Sequence, residues 1–91
     1  MLIRKEIVVA NRTGLHARPA AIFVQIANKF DSDITIIKDA QEVNGKSIMG
    51  ILMLAAEKGA RITIVADGED AEQAVEELSG ILLYDIEPEQ K

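Results

Sequence analysis

Residues 60–66 alternate Ala60, Ile62, Ile64 and Ala66 against Arg61, Thr63 and Val65. Successive side chains of a strand point to opposite sides, so this run has one apolar face and one face suited to water. Such a strand needs an apolar layer on one side only. Half-buried strands with short connections favour an antiparallel sheet with helices gathered on one face. Other segments agree with it. Residues 2–9 alternate through Ile3, Lys5, Ile7 and Val9, and Ile34-Thr35-Ile36-Ile37 is β-branched throughout. A polar turn, Lys38-Asp39-Ala40-Gln41, then leads into a short Glu42-Val43 strand, which predicts a small hairpin.

Three helical patterns separate these strands. In the first, Phe23, Ala27 and Phe30 recur at i, i+4 and i+7, Ala20 extends the stripe backward, and Asp31-Ser32-Asp33 is predicted to end the helix. Ser47 is placed as the N-cap of a second helix running to about Ala56 and closed by Lys58-Gly59. A third begins near Asp70, where Gln73 completes a capping-box spacing and Ala71, Ala74, Val75, Leu78 and Leu82 form the apolar stripe. The predicted order is βαββαβα, an α+β two-layer sandwich. Ninety-one residues suit one domain over 1–91. The polar tail, residues 85–91 with its Pro88, is expected to fray.

Composition removes whole classes of function. With no cysteine and one histidine, disulfides, thiolate catalysis and histidine-rich metal sites are excluded, so neither metal nor cofactor is expected. The apolar runs fall short of a bilayer span, so no membrane insertion is expected. The sequence does not open on a basic segment followed by an apolar stretch, so a cytoplasmic location is expected. The net charge of −5 is unevenly divided, with −8 over residues 67–91 and +3 over residues 1–66. That balance argues against nucleic acid as a partner. Arg12, Arg18 and Lys46 are candidates for a local positive patch near the single histidine, His16.

His16 lies in Thr13-Gly14-Leu15-His16-Ala17-Arg18-Pro19-Ala20. A neutral imidazole is a good nucleophile near pH 7, and the start of a helix offers unpaired N–H groups to an anion. Gly14 can adopt backbone angles closed to other residues, Arg18 supplies a guanidinium fork suited to phosphate, and Pro19 is tolerated only where a helix can spare an N–H. Together they make His16 a candidate phosphoryl acceptor. The proline rule taken alone starts the helix at Pro19, because it disfavours helical angles at Arg18.

This motif resembles the phosphohistidine site of the HPr family, the histidine-containing phosphocarriers of the bacterial phosphoenolpyruvate-dependent sugar phosphotransferase system. Lys46-Ser47-Ile48-Met49-Gly50, with Val43-Asn44 before it, resembles that family's regulatory serine region, and the similarity spans almost the whole chain. The resemblance implies an open-faced β-sandwich with four antiparallel strands and three helices on one face. It places His16 near a helix N-cap, a turn earlier than the proline rule does. It implies that His16 takes a phosphoryl group from phosphorylated enzyme I and passes it to sugar-specific IIA components, with Arg18 pairing the phosphoryl oxygens. The chain would then be a carrier and not itself an enzyme. Ser47 would be a regulatory phosphorylation site for an HPr kinase/phosphorylase, with a transcriptional regulator as a further partner. Ala17, Ala21, Ile48, Met49 and Leu52 would form the partner-docking patch, with Ile51 and Leu54 inside. Periodicity alone offers a different buried stripe for the second helix, Ile48, Ile51, Leu52 and Ala55. The resemblance suggests a monomer. An alternative of another kind is a regulatory paralogue, active in nitrogen-related phosphotransfer or as a corepressor partner through phosphorylated Ser47.

Overall fold

The alternating run sits at the centre of the sheet. A computed structural model describes residues 1–85 and gives the order β1 (Leu2–Val8), α1 (Ala17–Ala27), β2 (Asp33–Lys38), β3 (Gln41–Asn44), α2 (Ile48–Leu54), β4 (Arg61–Asp67) and α3 (Ala71–Leu83). The four strands form one antiparallel sheet in the spatial order β1-β4-β2-β3, so β4 is paired on both sides. Register follows the apolar alternation: Ile7 lies opposite Ile62, Ile64 opposite Ile36, and Ala66 opposite Ile34. All six side chains are buried on the face that the three helices cover, while Arg4, Glu6 and Arg61 remain exposed on the other.

The helices close the core with the stripes their sequences carry. Phe23 of α1 and Leu78 and Leu82 of α3 are fully buried, as are Ile51 and Leu54 of α2. Each such side chain removed from water stabilises the fold by about 1.5–3 kcal/mol. Ser79 joins the buried stripe of α3 because its hydroxyl donates to the Val75 carbonyl at 2.6 Å, which satisfies it without a partner from elsewhere.

Four local expectations are corrected. Helix α1 starts at Ala17, not at Pro19 as the proline rule alone gives, with His16 as its N-cap in extended conformation (φ −86°, ψ −169°), where the family resemblance puts it. Pro19 is then the third helical residue, where the N–H it lacks has no intrahelical partner to lose. Helix α1 also stops at Ala27, short of Asp31; Asn28 caps it and Phe30 is buried from the turn beyond. Helix α2 ends at Leu54, ahead of Lys58-Gly59, because Ala55 turns left-handed (φ 50°) and its N–H reaches the Leu52 carbonyl at 3.1 Å. Such a conformation costs an alanine on the order of 1 kcal/mol.

The fourth correction concerns α3. Its N-cap Asp70 makes no side-chain cap hydrogen bond, and Gln73 turns to Glu77. The Asp70 carboxylate instead accepts from the Ser32 hydroxyl, from the Ser32 N–H at 3.1 Å and from the Asp31 N–H at 2.9 Å. A contact 38 positions away thus overrides the local motif. The Ser32 hydroxyl bond, reinforced by the Asp31 N–H, holds the Asp70 carboxyl below its ordinary value of 3.8. Of the tail 85–91, only Asp85 falls within the described residues.

Candidate functional site

The loop before α1 is held from three directions before it delivers His16 to the surface. Ala10 and Asn11 both donate their N–H groups to the Leu82 carbonyl near the end of α3, at 2.8 and 3.1 Å. The buried Asn11 side chain donates to the Gly14 carbonyl at 3.1 Å. Leu15, also buried, donates its N–H to the Ala56 carbonyl at 2.8 Å, which ties the loop to the segment after α2. Gly14 makes this possible: its φ is +65°, and a Cβ there would run into the Ala56 carbonyl oxygen and the Glu57 Cα.

His16 emerges exposed from this anchored loop, followed by exposed Ala17 and Arg18. Its carbonyl accepts the first helical bond, from Ala20 at 2.8 Å, while its side chain makes no cap hydrogen bond. The Ala17 and Arg18 N–H groups belong to the first turn, which has no intrahelical acceptor to give them. An anion on the imidazole would therefore meet oriented N–H dipoles and a guanidinium.

Two concavities flank the imidazole. One is lined by Arg12, Thr13, His16, Ala17, Arg18, Pro19 and Asp85, the other by Arg12, Thr13, His16, Glu57 and Lys58. Arg12 and Arg18 thus do collect beside His16. Lys46 does not: its ammonium donates to the Phe30 carbonyl at 2.7 Å, and it lines a separate cleft with Asp33, Thr35, Glu42 and Asn44. Lys58 and Asp85 take part where sequence reasoning did not place them. No local signal marks Asp85, which reaches Arg12 across 73 positions.

Ser47 caps α2 as its sequence indicates, its hydroxyl accepting from the Gly50 N–H at 3.1 Å. On the short helix it starts, Ile51 and Leu54 are buried, whereas Ile48, Met49 and Leu52 are 39%, 66% and 41% exposed. The periodic stripe through Ile48, Ile51, Leu52 and Ala55 is therefore not the buried one, since only Ile51 of the four is inside. Met53, at 64% exposure, widens the apolar surface and went unmarked in the sequence although it lies one turn beyond Met49. Ala21 is half-buried. Among the described residues, no helix is long and apolar enough to cross a membrane, and no three His, Cys, Asp or Glu side chains gather as a metal site.

The geometry has close counterparts among known proteins. Residues 3–83 match the family model of the PTS HPr component phosphorylation site. The HPr-like protein Crh of Bacillus subtilis (strain 168) is 44% identical over 85 residues, covering 93% of this chain and all of Crh. The crystal structure of a phosphocarrier protein HPr from Bacillus anthracis superposes with a TM-score of 0.86 at 51% identity, over 89% of this chain and 96% of that one. A crystal structure of Bacillus subtilis Crh, named there for catabolite repression, has a TM-score of 0.70 at 46% identity, over 88% of this chain and 92% of that one. That structure is a domain-swapped, intertwined dimer, so the expectation of a monomer has a counter-example among these relatives.

Proposed function

Since this chain belongs to the HPr family of phosphocarrier proteins, we propose that His16 is its phosphoryl acceptor and that the protein relays the group from phosphorylated enzyme I to sugar-specific IIA components. The observation that carries this reading is the setting of His16: exposed at the first turn of α1, beside Arg18, on a loop anchored on both sides. In the transfer, the lone pair of the unprotonated ring nitrogen forms the new N–P bond as the donor's bond to phosphorus breaks. The donor keeps that electron pair, and the other ring nitrogen keeps its proton. Arg18 and the first-turn N–H groups then oppose the charge on the phosphoryl oxygens. They hold the group from one side only, which suits a carrier that must later release it.

Docking falls to Ala17, Ala21, Ile48, Met49 and Leu52. Exposed methionine and aliphatic side chains adapt to partners of differing shape, as a relay between proteins requires. Ser47 adds regulation: a phosphate there would sit at the N-terminus of α2, electrostatically favoured, and would set negative charge beside the apolar surface without refolding it. An HPr kinase/phosphorylase would write this mark, and a transcriptional regulator would read it. We place the relay in the cytoplasm, where its partners act.

Enzyme I with isotopically labelled phosphoenolpyruvate should label the protein on an acid-labile, base-stable residue, and His16→Ala should abolish the label. A fully labelled His16→Ala variant would refute the assignment. The likeness to Crh, named for catabolite repression, favours one second reading, a regulator working through Ser47 phosphate. Retention of His16 weighs against a regulator that uses serine alone. Growth on a transported sugar in a strain lacking its own HPr separates the two, with rescue expected for the relay.

A further inference from the structure

Arg12 is the second guanidinium beside His16, and it is already engaged. The Arg12 backbone N–H donates to one carboxylate oxygen of Asp85 at 2.6 Å, and the guanidinium Nε lies 3.2 Å from the other. The Arg12 side chain is nonetheless 81% exposed, so the pair sits at the surface and can exchange partners. Arg12 lines both concavities that flank the imidazole, and Asp85 lines the one that also contains Arg18.

A phosphoryl group on His16 would place about two negative charges, and three acceptor oxygens, into the space these residues share. Asp85 is then a like charge beside it, and Arg12 is a cation whose present partner carries only one charge. The backbone contact from Arg12 to Asp85 fixes where the carboxylate stands, while the largely exposed guanidinium is held there through its Nε contact at the surface. We propose, on the basis that His16 is the phosphoryl acceptor, that Arg12 is a second phosphoryl-binding residue and that Asp85 competes with the phosphoryl group for it. Phosphorylation exchanges one anion for another at Arg12. Because the ion pair must open for that exchange, Asp85 makes the phosphorylated form less favourable than it would otherwise be, and so makes the group easier to hand on. The proposed role of Asp85 is one of positioning, since it acts through Arg12.

The test is the position of the phosphorylation equilibrium at a fixed ratio of phosphoenolpyruvate to pyruvate, with catalytic enzyme I and the full chain. Arg12→Ala should lower the equilibrium constant roughly 2- to 5-fold, the scale of one exposed charge pair, and Arg12→Lys should restore part of it. Asp85→Asn should raise it by a similar factor. In the Arg12→Ala background, Asp85→Asn should change it little, because the competition has lost its object. The Arg12 Nε–H resonance should also shift on phosphorylation of the wild-type protein, and melting temperatures of the single variants should stay close to wild type.

An Asp85→Asn effect of full size in the Arg12→Ala background would overturn competition and leave simple repulsion by Asp85. Single variants that match wild type, on a protein that still labels at His16, would overturn the role of Arg12 while leaving the phosphocarrier reading intact. A wild-type chain that enzyme I does not label would end both.

Discussion

Helices α1 and α3 begin with residues whose side chains make no cap hydrogen bond to their own helix, yet the two starts are opposites in character. At α3 the side chain is spent on a neighbouring turn: Asp70 gathers the Ser32 hydroxyl and the N–H groups of Asp31 and Ser32. At α1 the imidazole of His16 is exposed, and the residues around it carry charge. The first arrangement joins two loops of the fold. The second leaves the oriented amides of a helix terminus facing solvent, where an anion can reach them. Ser47 at α2 differs from both, since its side chain serves its own helix by accepting from the Gly50 N–H.

Substitutions at the two starts should separate function from stability. The largest effect is expected at His16, where replacement by alanine should remove phosphoryl acceptance altogether and leave the thermal transition in place. Calorimetry alongside the labelling assay checks both halves, and a marked loss of stability would show that His16 also serves the fold. Next comes Gly14→Ala, which forces a Cβ into a φ of +65° and against the Ala56 carbonyl. Urea denaturation should report a loss of about 1–3 kcal/mol, with slower phosphotransfer because the loop carrying His16 must move.

Asp70→Ala should be the mirror image of His16→Ala, lowering stability while phosphorylation at saturating enzyme I persists. Its pH dependence has a definite sign. The folded carboxyl titrates below its ordinary value of 3.8, so the stabilisation is complete above that value and is lost as pH falls through the lower, folded one. The stability gap between wild type and Asp70→Ala should therefore close in that acid range and stay constant at neutral pH. The smallest effect is expected from Ser47→Ala, a loss of about 1 kcal/mol from the cap with His16 labelling unchanged. A pronounced labelling defect there would mean that Ser47 touches the transfer itself.

The strands were legible because a half-buried strand writes its register into its own alternation. The Ile62, Ile64 and Ala66 series needed no knowledge of β1 or β2 to be read. The position of His16 was legible only in part. Pro19, read locally, starts α1 two residues late, and the family motif corrects it. Contacts between distant turns left no trace in the sequence. The Asp70 spacing to Gln73 reads as a capping box, but Ser32 takes the carboxylate, and nothing near Lys46 reveals that its ammonium will be drawn to Phe30 and away from His16. Side chains that choose partners across the fold are where local rules lose their hold.

The carbonyl of Leu82, which receives the N–H groups of Ala10 and Asn11, is also synthesised long after them. Strand β1 emerges first but pairs with the late strand β4, and the loop that presents His16 gains the last of its three anchors once the end of α3 exists. His16 is thus translated early and fully seated late. A message that ends before α3 yields a polypeptide that contains the motif but lacks the platform beneath it.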